Sequence, residues 1–165
     1  MELKKQITEK EALLKLSSLC ARAEHCSGEM REKLYRWDFD DDAQQRIIDK
    51  LLIGKYIDDE RFTRAFVSDK ITYNRWGRKR IEQALYQKRV PKDIYNAVLD
   101  EVPAQRYIEV LRPLLKSKRK SVSGRNAYER SMKLIQYAIG RGFEMQIIRQ
   151  CIDNAEDLTD DQFSE

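Results

Sequence analysis

Hydrophobic positions in this chain recur three and four residues apart, the spacing that gathers side chains on one face of a helix. Leu13, Leu16, Leu19 and Cys20 form a first stripe. Met30, Leu34 and Trp37 form a second, and Ala43, Ile47, Ile48, Leu51 and Leu52 a third. Phe62, Ala65, Phe66, Asp69 and Tyr73 share a face in the next segment, followed by Ile81, Ala84 and Leu85, then Ile94, Val98, Leu99 and Val102. Tyr107, Val110, Leu111 and Leu114 open a last group, with Met132, Leu134, Ile135 and Ala138 next and Ile147, Ile148, Cys151 and Ile152 at its end.

Polar residues set the expected boundaries. Thr8 to Glu11 fits a capping box. Ser27 is a candidate N-cap with Glu29 in the first turn, and Asp41 with Gln44 fits a further box. Gly54 suits a C-terminal stop. Asp58 can cap a helix whose first turn holds Asp59 and Glu60. Pro91 suits the first position of a helix. Pro113 predicts a kink or break. Residues 116–125, KSKRKSVSGR, lack apolar periodicity and are expected to form a mobile loop, and the following helix should stop near Gly140–Gly142.

The stripes repeat. Phe39, Val90 and Phe143 stand 51 and 53 residues apart, each just before the third helix of a group. Met30, Ile81 and Leu134 precede them at matching offsets, and Ala43, Ile94 and Ile147 follow. The expected fold is therefore all-α: three tandem three-helix repeats forming a short curved solenoid. The expected domains are residues 8–57, 58–102 and 103–153, followed by an acidic, disordered tail over 154–165. Val67 and Ile71, opposite Phe62 and Ala65, suggest a second stripe that meets a neighbouring repeat.

Composition narrows the class. Six glycines and three prolines in 165 residues argue against an all-β fold. The net charge is +4, but residues 153–165 carry six acids and no base, which leaves +10 on residues 1–152. Such a body suits a polyanionic partner. The tail could cover it transiently and so inhibit DNA binding at low salt. Three cysteines without a CxxC pair suit a reducing compartment. Cys20, His25 and Cys26 lack a nearby fourth ligand for zinc, so no metal or other cofactor is expected. The chain has no apolar run long enough to span a bilayer and no signal-peptide core at its start. A cytoplasmic monomer is expected.

No catalytic constellation emerges. His25 has no nucleophile placed beside it, the paired acids fit helix starts, and phosphate-binding glycine motifs are absent. The chemistry worth weighing is the basic turn and helix, where Arg75 to Arg89 holds six basic residues and one acid, Glu82. Gly77 allows close approach, while Tyr73 and Trp76 offer stacking surfaces. The competing reading is a solvated face: Arg78 can pair with Glu82, Arg64 can pair with Glu60, and Trp76 can simply pack. Lys79, Gln83 and Tyr86 project away from the Ile81/Leu85 stripe. Lys116–Arg125 is a second basic candidate, with no acid between Val110 and Tyr128.

The stretch Tyr56-Ile57-Asp58-Asp59, Arg61-Phe62, Phe66, Gly77, Arg80-Ile81, Leu85, Lys88 and Val90 resembles the RecX family of recombination regulators. The resemblance is strong in the second repeat, fair in the first and loose in the third. Two departures stand out. Thr63 replaces the family's usual Ala, and Arg89 replaces its usual Gly. If residue 89 must be left-handed, Arg costs about 1–2 kcal/mol there. The resemblance implies three tandem three-helix repeats. It also implies a non-enzymatic protein that binds the RecA filament on DNA and inhibits its ATPase, strand-exchange and coprotease activities. The alternative is a sequence-nonspecific DNA-binding helical protein that meets single- or double-stranded DNA through phosphates, and a third reading is a plain helical adaptor. The candidate contact residues are Arg61, Arg64, Lys70, Arg75, Arg78, Lys79, Arg80, Lys88, Arg89, Lys118, Arg119, Lys120 and Arg125.

Overall fold

The computed structural model describes residues 6–153, and these form nine α-helices and no strand. They are α1 (Glu9–Arg22), α2 (Ser27–Arg36), α3 (Asp41–Ile53), α4 (Asp59–Thr72), α5 (Arg78–Gln87), α6 (Lys92–Asp100), α7 (Ala104–Arg119), α8 (Ala127–Gly140) and α9 (Met145–Asp153). The acidic tail expected over residues 154–165 lies outside the described residues.

Helix starts are set by short acceptors. Thr8 accepts from the Glu11 N–H, Asp58 from the Arg61 N–H and Asn126 from the Glu129 N–H. Three starts differ from the sequence reading. Asp40, not Asp41, caps α3 by accepting from the Ala43 N–H at 2.8 Å, and the buried Gln44 instead donates to the Phe39 carbonyl. Ser27 is the first helical residue of α2, and Cys26 precedes it as N-cap. Pro91 likewise stands one residue before α6, its carbonyl taking the Ile94 and Tyr95 N–H groups.

Stops also differ. Gly54 does follow α3, but it is right-handed (φ −75), and Lys55 takes the left-handed turn (φ 58). Gly54 is needed for space, since an added Cβ would sit 2.8 Å from the Tyr56 ring. Helix α7 runs through Pro113 to Arg119 without a break. Lys116, Lys118 and Arg119 therefore lie in its last turn, where cations suit the negative end of the helix dipole, rather than in a loop.

The described chain forms two compact units that do not follow the three-helix periods. One holds residues up to Phe66 together with Leu85–Asn96; the other holds Val67–Ala84 and everything from Ala97 on. The first unit packs α3 against α1 and α2. Ala12, Leu16, Met30, Leu34, Phe39, Ala43, Ile47, Ile48, Leu51 and Ile57 form its core, with Leu13, Leu19, Cys20 and Trp37 at the margin. The second packs α7, α8 and α9 together. Tyr107, Ile108, Leu111, Leu114, Leu115, Leu134, Ala138, Phe143, Ile147, Ile148 and Cys151 are buried there. Each such aliphatic side chain contributes about 1.5–3 kcal/mol on burial.

On α4 the buried residues are Asp59, Phe62, Thr63, Val67 and Ile71, whereas Ala65, Asp69 and Tyr73 are exposed. The sequence reading put Ala65, Asp69 and Tyr73 inside and treated Val67 and Ile71 as a second stripe. Thr63 decides the matter. Its hydroxyl donates to the Asp59 carbonyl at 2.6 Å, so a polar residue can occupy the buried row at no cost in unmet hydrogen bonds.

The repeat spacing reappears in the backbone. Asp38 (φ 65), Arg89 (φ 59) and Gly142 (φ 93) are all left-handed and immediately precede Phe39, Val90 and Phe143. Each turn docks locally. Within the first unit, Gly28 lies under the Lys88–Arg89 turn, and an added Cβ would meet the Lys88 carbonyl oxygen at 2.0 Å. Within the second, the Gly77 N–H donates to the Arg141 carbonyl at 2.9 Å and the Lys79 N–H to the Gly142 carbonyl at 3.0 Å. The Asp38 carbonyl is met by the Gln6 side-chain amide at 2.9 Å.

Candidate basic interface

In the second unit, the turn between α4 and α5 is built for close approach. An added Cβ on Gly77 would sit 2.3 Å from the Phe143 nitrogen. Arg75 is left-handed (φ 56), and the Trp76 N–H donates to the Lys70 carbonyl at 3.1 Å. The Arg141 guanidinium holds this turn by its carbonyls. Its Nε donates to the Arg75 oxygen at 3.1 Å, and Nη2 donates to the Asn74 oxygen.

The aromatic rings here carry cations. Lys70 Nζ lies 5.0 Å and the Arg80 guanidinium 4.5 Å from the centre of the half-buried Trp76 ring. Lys118 and Arg141 lie 5.1 Å and 5.9 Å from the Tyr137 ring. Each such contact contributes roughly 0.5–2 kcal/mol and fixes the cation's position. Trp76 is therefore a platform for basic side chains more than an open stacking surface. The turn and the end of α7 looked separate in sequence, yet Tyr137 and Arg141 join them. Sequence reasoning passed over Arg141 as part of a helix stop. The 53-residue period could have exposed it, because Arg141 is the counterpart of Lys88.

The candidate residues divide between the two units. Lys70, Arg75, Arg78, Lys79, Arg80, Lys118, Arg119, Lys120 and Arg125 lie in the second. Arg78 is neutralised: its guanidinium meets Glu82 and Asp100 at 2.7 Å each. Partial burial disfavours its charge, but hydrogen bonds to both acids raise its pKa above the ordinary guanidinium value. Arg75, Lys79 and Arg80 are exposed and have no ion pair among the described residues. Lys120 and Arg125 are exposed too, while Arg119 is partly buried.

Arg61, Arg64, Lys88 and Arg89 lie in the first unit. Arg61 pairs with Glu24 at 2.7 Å and Arg64 with Glu60 at 2.9 Å. Lys88 lies 3.6 Å from Glu29 and 5.9 Å from the Phe66 ring centre, so its charge is largely used inside the unit. Burial favours protonation of Glu29, but the Cys26 N–H and the Lys88 ammonium outweigh it and hold the pKa below the ordinary 4.5. Asp59 accepts from the Ser27 N–H at 2.7 Å and the Ser27 hydroxyl at 2.6 Å. It thus caps α2 from across the chain while also standing in the first turn of its own helix, the only place the sequence gave it. Burial pushes the Cys26 thiol up to about 12, so it stays a thiol at neutral pH. Among the described residues, no group of three His, Cys, Asp or Glu side chains could hold a metal ion. No described helix is long and apolar enough to cross a membrane.

Known proteins match this architecture. Family models for the first, second and third three-helix domains of RecX match residues 13–51, 58–99 and 105–152. The regulatory protein RecX of Bacillus cereus (strain B4264) is 27% identical over 116 residues, covering 70% of this chain and 43% of that protein. The one from Bacillus thuringiensis (strain Al Hakam) matches with the same identity and coverage. The alignment thus spans less than half the length of these relatives. The crystal structure of RecX from Lactobacillus salivarius superposes with a TM-score of 0.83 at 20% identity, over 90% of this chain and 96% of that one. A second crystal structure, of regulatory protein RecX, gives 0.80 at 19% identity, over 88% and 73%. With three domain models matched in order along most of its length, this chain belongs to the RecX family.

Proposed function

We propose that this chain is a cytoplasmic, non-catalytic regulator that binds the RecA filament on DNA. It restrains the filament's ATPase, strand-exchange and coprotease activities. One observation carries the reading: Arg75, Lys79 and Arg80 stand exposed and without an acidic partner among the described residues, on a turn stiffened by Gly77, Trp76 and Arg141. Exposed cations of this kind give charge complementarity to a large polyanionic partner, and Arg80 is already held against Trp76. Family membership supports the choice of partner, and the basic turn offers a means of meeting it.

The test is RecA ATPase activity on single-stranded DNA, with wild type and with Arg75, Lys79 and Arg80 all changed to Glu. The triple variant should keep its helicity, since none of the three is buried. Its inhibition should fall sharply. A folded triple variant that inhibits like wild type would remove this turn from the interface. Sequence-nonspecific DNA binding remains the second reading, favoured by Tyr73, which is 78% exposed beside these cations. Titrations against bare DNA and against the RecA–DNA filament over a range of salt separate the two, because phosphate contacts alone give a steep salt slope on bare DNA.

A further inference from the structure

The first unit holds a concavity of about 470 Å³ lined by Tyr86, Gln87, Arg89, Val90, Lys92 and Tyr95. It lies at the corner between the end of α5 and the start of α6. Its floor and rim differ in chemistry. Val90 and Tyr95 are buried, while Tyr86 is 72% exposed, and Arg89 and Lys92 are exposed. Neither cation has an ion pair among the described residues. Arg89 holds a left-handed backbone (φ 59) at a point where its counterpart in the third repeat is Gly142 (φ 93). The site thus keeps a guanidinium where glycine would be less strained.

We propose that this corner takes one nucleotide of single-stranded nucleic acid. The base stacks on Tyr86, the Gln87 amide offers a donor and an acceptor to its edge, and Arg89 with Lys92 meets the adjoining phosphates. An exposed ring beside two unpaired cations is the arrangement that binds single strands with little sequence preference. Pockets of this volume suit ligands of nucleotide size. The inference rests on the reading that the partner surface includes DNA, and it names where a strand is held.

The experiment is binding of the full chain to a fluorescent oligothymidylate and to an abasic sugar–phosphate chain of equal length, with oligoglutamate as competitor. Wild type should prefer oligothymidylate by about five-fold or more, the worth of one stacked base. Tyr86→Ala should erase that preference and Tyr86→Phe should retain it, with helicity unchanged in both. Arg89→Gly should weaken both oligomers and lower the salt slope. Equal binding of the two oligomers by wild type, an unaltered preference in Tyr86→Ala, or stronger capture of oligoglutamate would each overturn the pocket. RecA ATPase inhibition measured in parallel keeps the two ideas distinct. Equal binding of the two oligomers by wild type with inhibition intact sinks only the pocket, and a Tyr86-dependent preference without inhibition sinks only the filament reading.

Discussion

Two of the turns before a third helix, one in each unit, are docked against a glycine, and these two joints reach the same backbone shape by different means. In the second unit, glycine sits on both sides. Gly142 takes the left-handed position, Gly77 gives clearance to Phe143, and two backbone N–H groups close the contact. In the first unit, only Gly28 is small. Arg89 bears the left-handed strain, and polar side chains do the joining: Asp59 caps α2, and Glu29 meets Lys88. One joint is closed by backbone groups with the Arg141 guanidinium as a brace, the other by side chains that include titratable acids. Acid pH should therefore act on the first joint and barely on the second, since a guanidinium does not titrate.

The largest expected effect is at the ring that fills the second joint. Phe143→Ala should destabilise the chain by about 3–5 kcal/mol in chemical denaturation, because the ring is 2% exposed and leaves a cavity. A loss no greater than that of Val90→Ala would mean that the second joint is not the tighter packed. Next come the glycines. Gly77→Ala and Gly28→Ala should each cost about 1–3 kcal/mol, since each new Cβ meets backbone atoms that cannot swing aside. Unchanged melting of either variant would show that its joint can open without penalty.

The left-handed position should split the joints by sign. Arg89→Gly should stabilise by about 1 kcal/mol, as glycine removes the strain at some entropic cost. Gly142→Ala should destabilise, because its φ is 93 and the new Cβ would lie 2.5 Å from the Arg80 nitrogen. If both changes move stability the same way, the two turns are not equivalent in the way the backbone suggests.

The smallest effect concerns acid. The Glu29 pKa is lower in the folded chain, so its contribution is present above about pH 4.5 and fades as pH falls through the folded value. Glu29→Gln should flatten the stability profile in that acid range and leave the second unit's packing unaffected. An identical acid limb in the variant would show that Lys88 and the Cys26 N–H do nothing for folding.

Much of this was legible in sequence, and the particular residues show why. The stripes around Leu16, Leu34, Ile81, Leu99, Leu111 and Ile148 fixed helices, because the helical period is a local property of the chain. The marks at Phe39, Val90 and Phe143 revealed the repeat for the same reason. The departure at Arg89 from the usual Gly raised the condition of a left-handed residue, and the backbone meets it (φ 59). The family resemblance was legible in the signature between Tyr56 and Val90.

What the sequence by itself determined was thus period, helix content, repeat spacing and the placing of charge along the chain. Only the tertiary structure decided which face of α4 is buried, because Thr63 becomes apolar in effect once its hydroxyl meets the Asp59 carbonyl. It alone assigned Asp59 to the start of α2, where the acceptor comes from residues 32 apart. It sorted the cations too, placing Arg78 between Glu82 and Asp100, Lys70 and Arg80 against Trp76, and Arg141 beneath the turn. A charge written in sequence is free or spent according to what folds beside it. Those neighbours are distant along the chain, so no local pattern can state them.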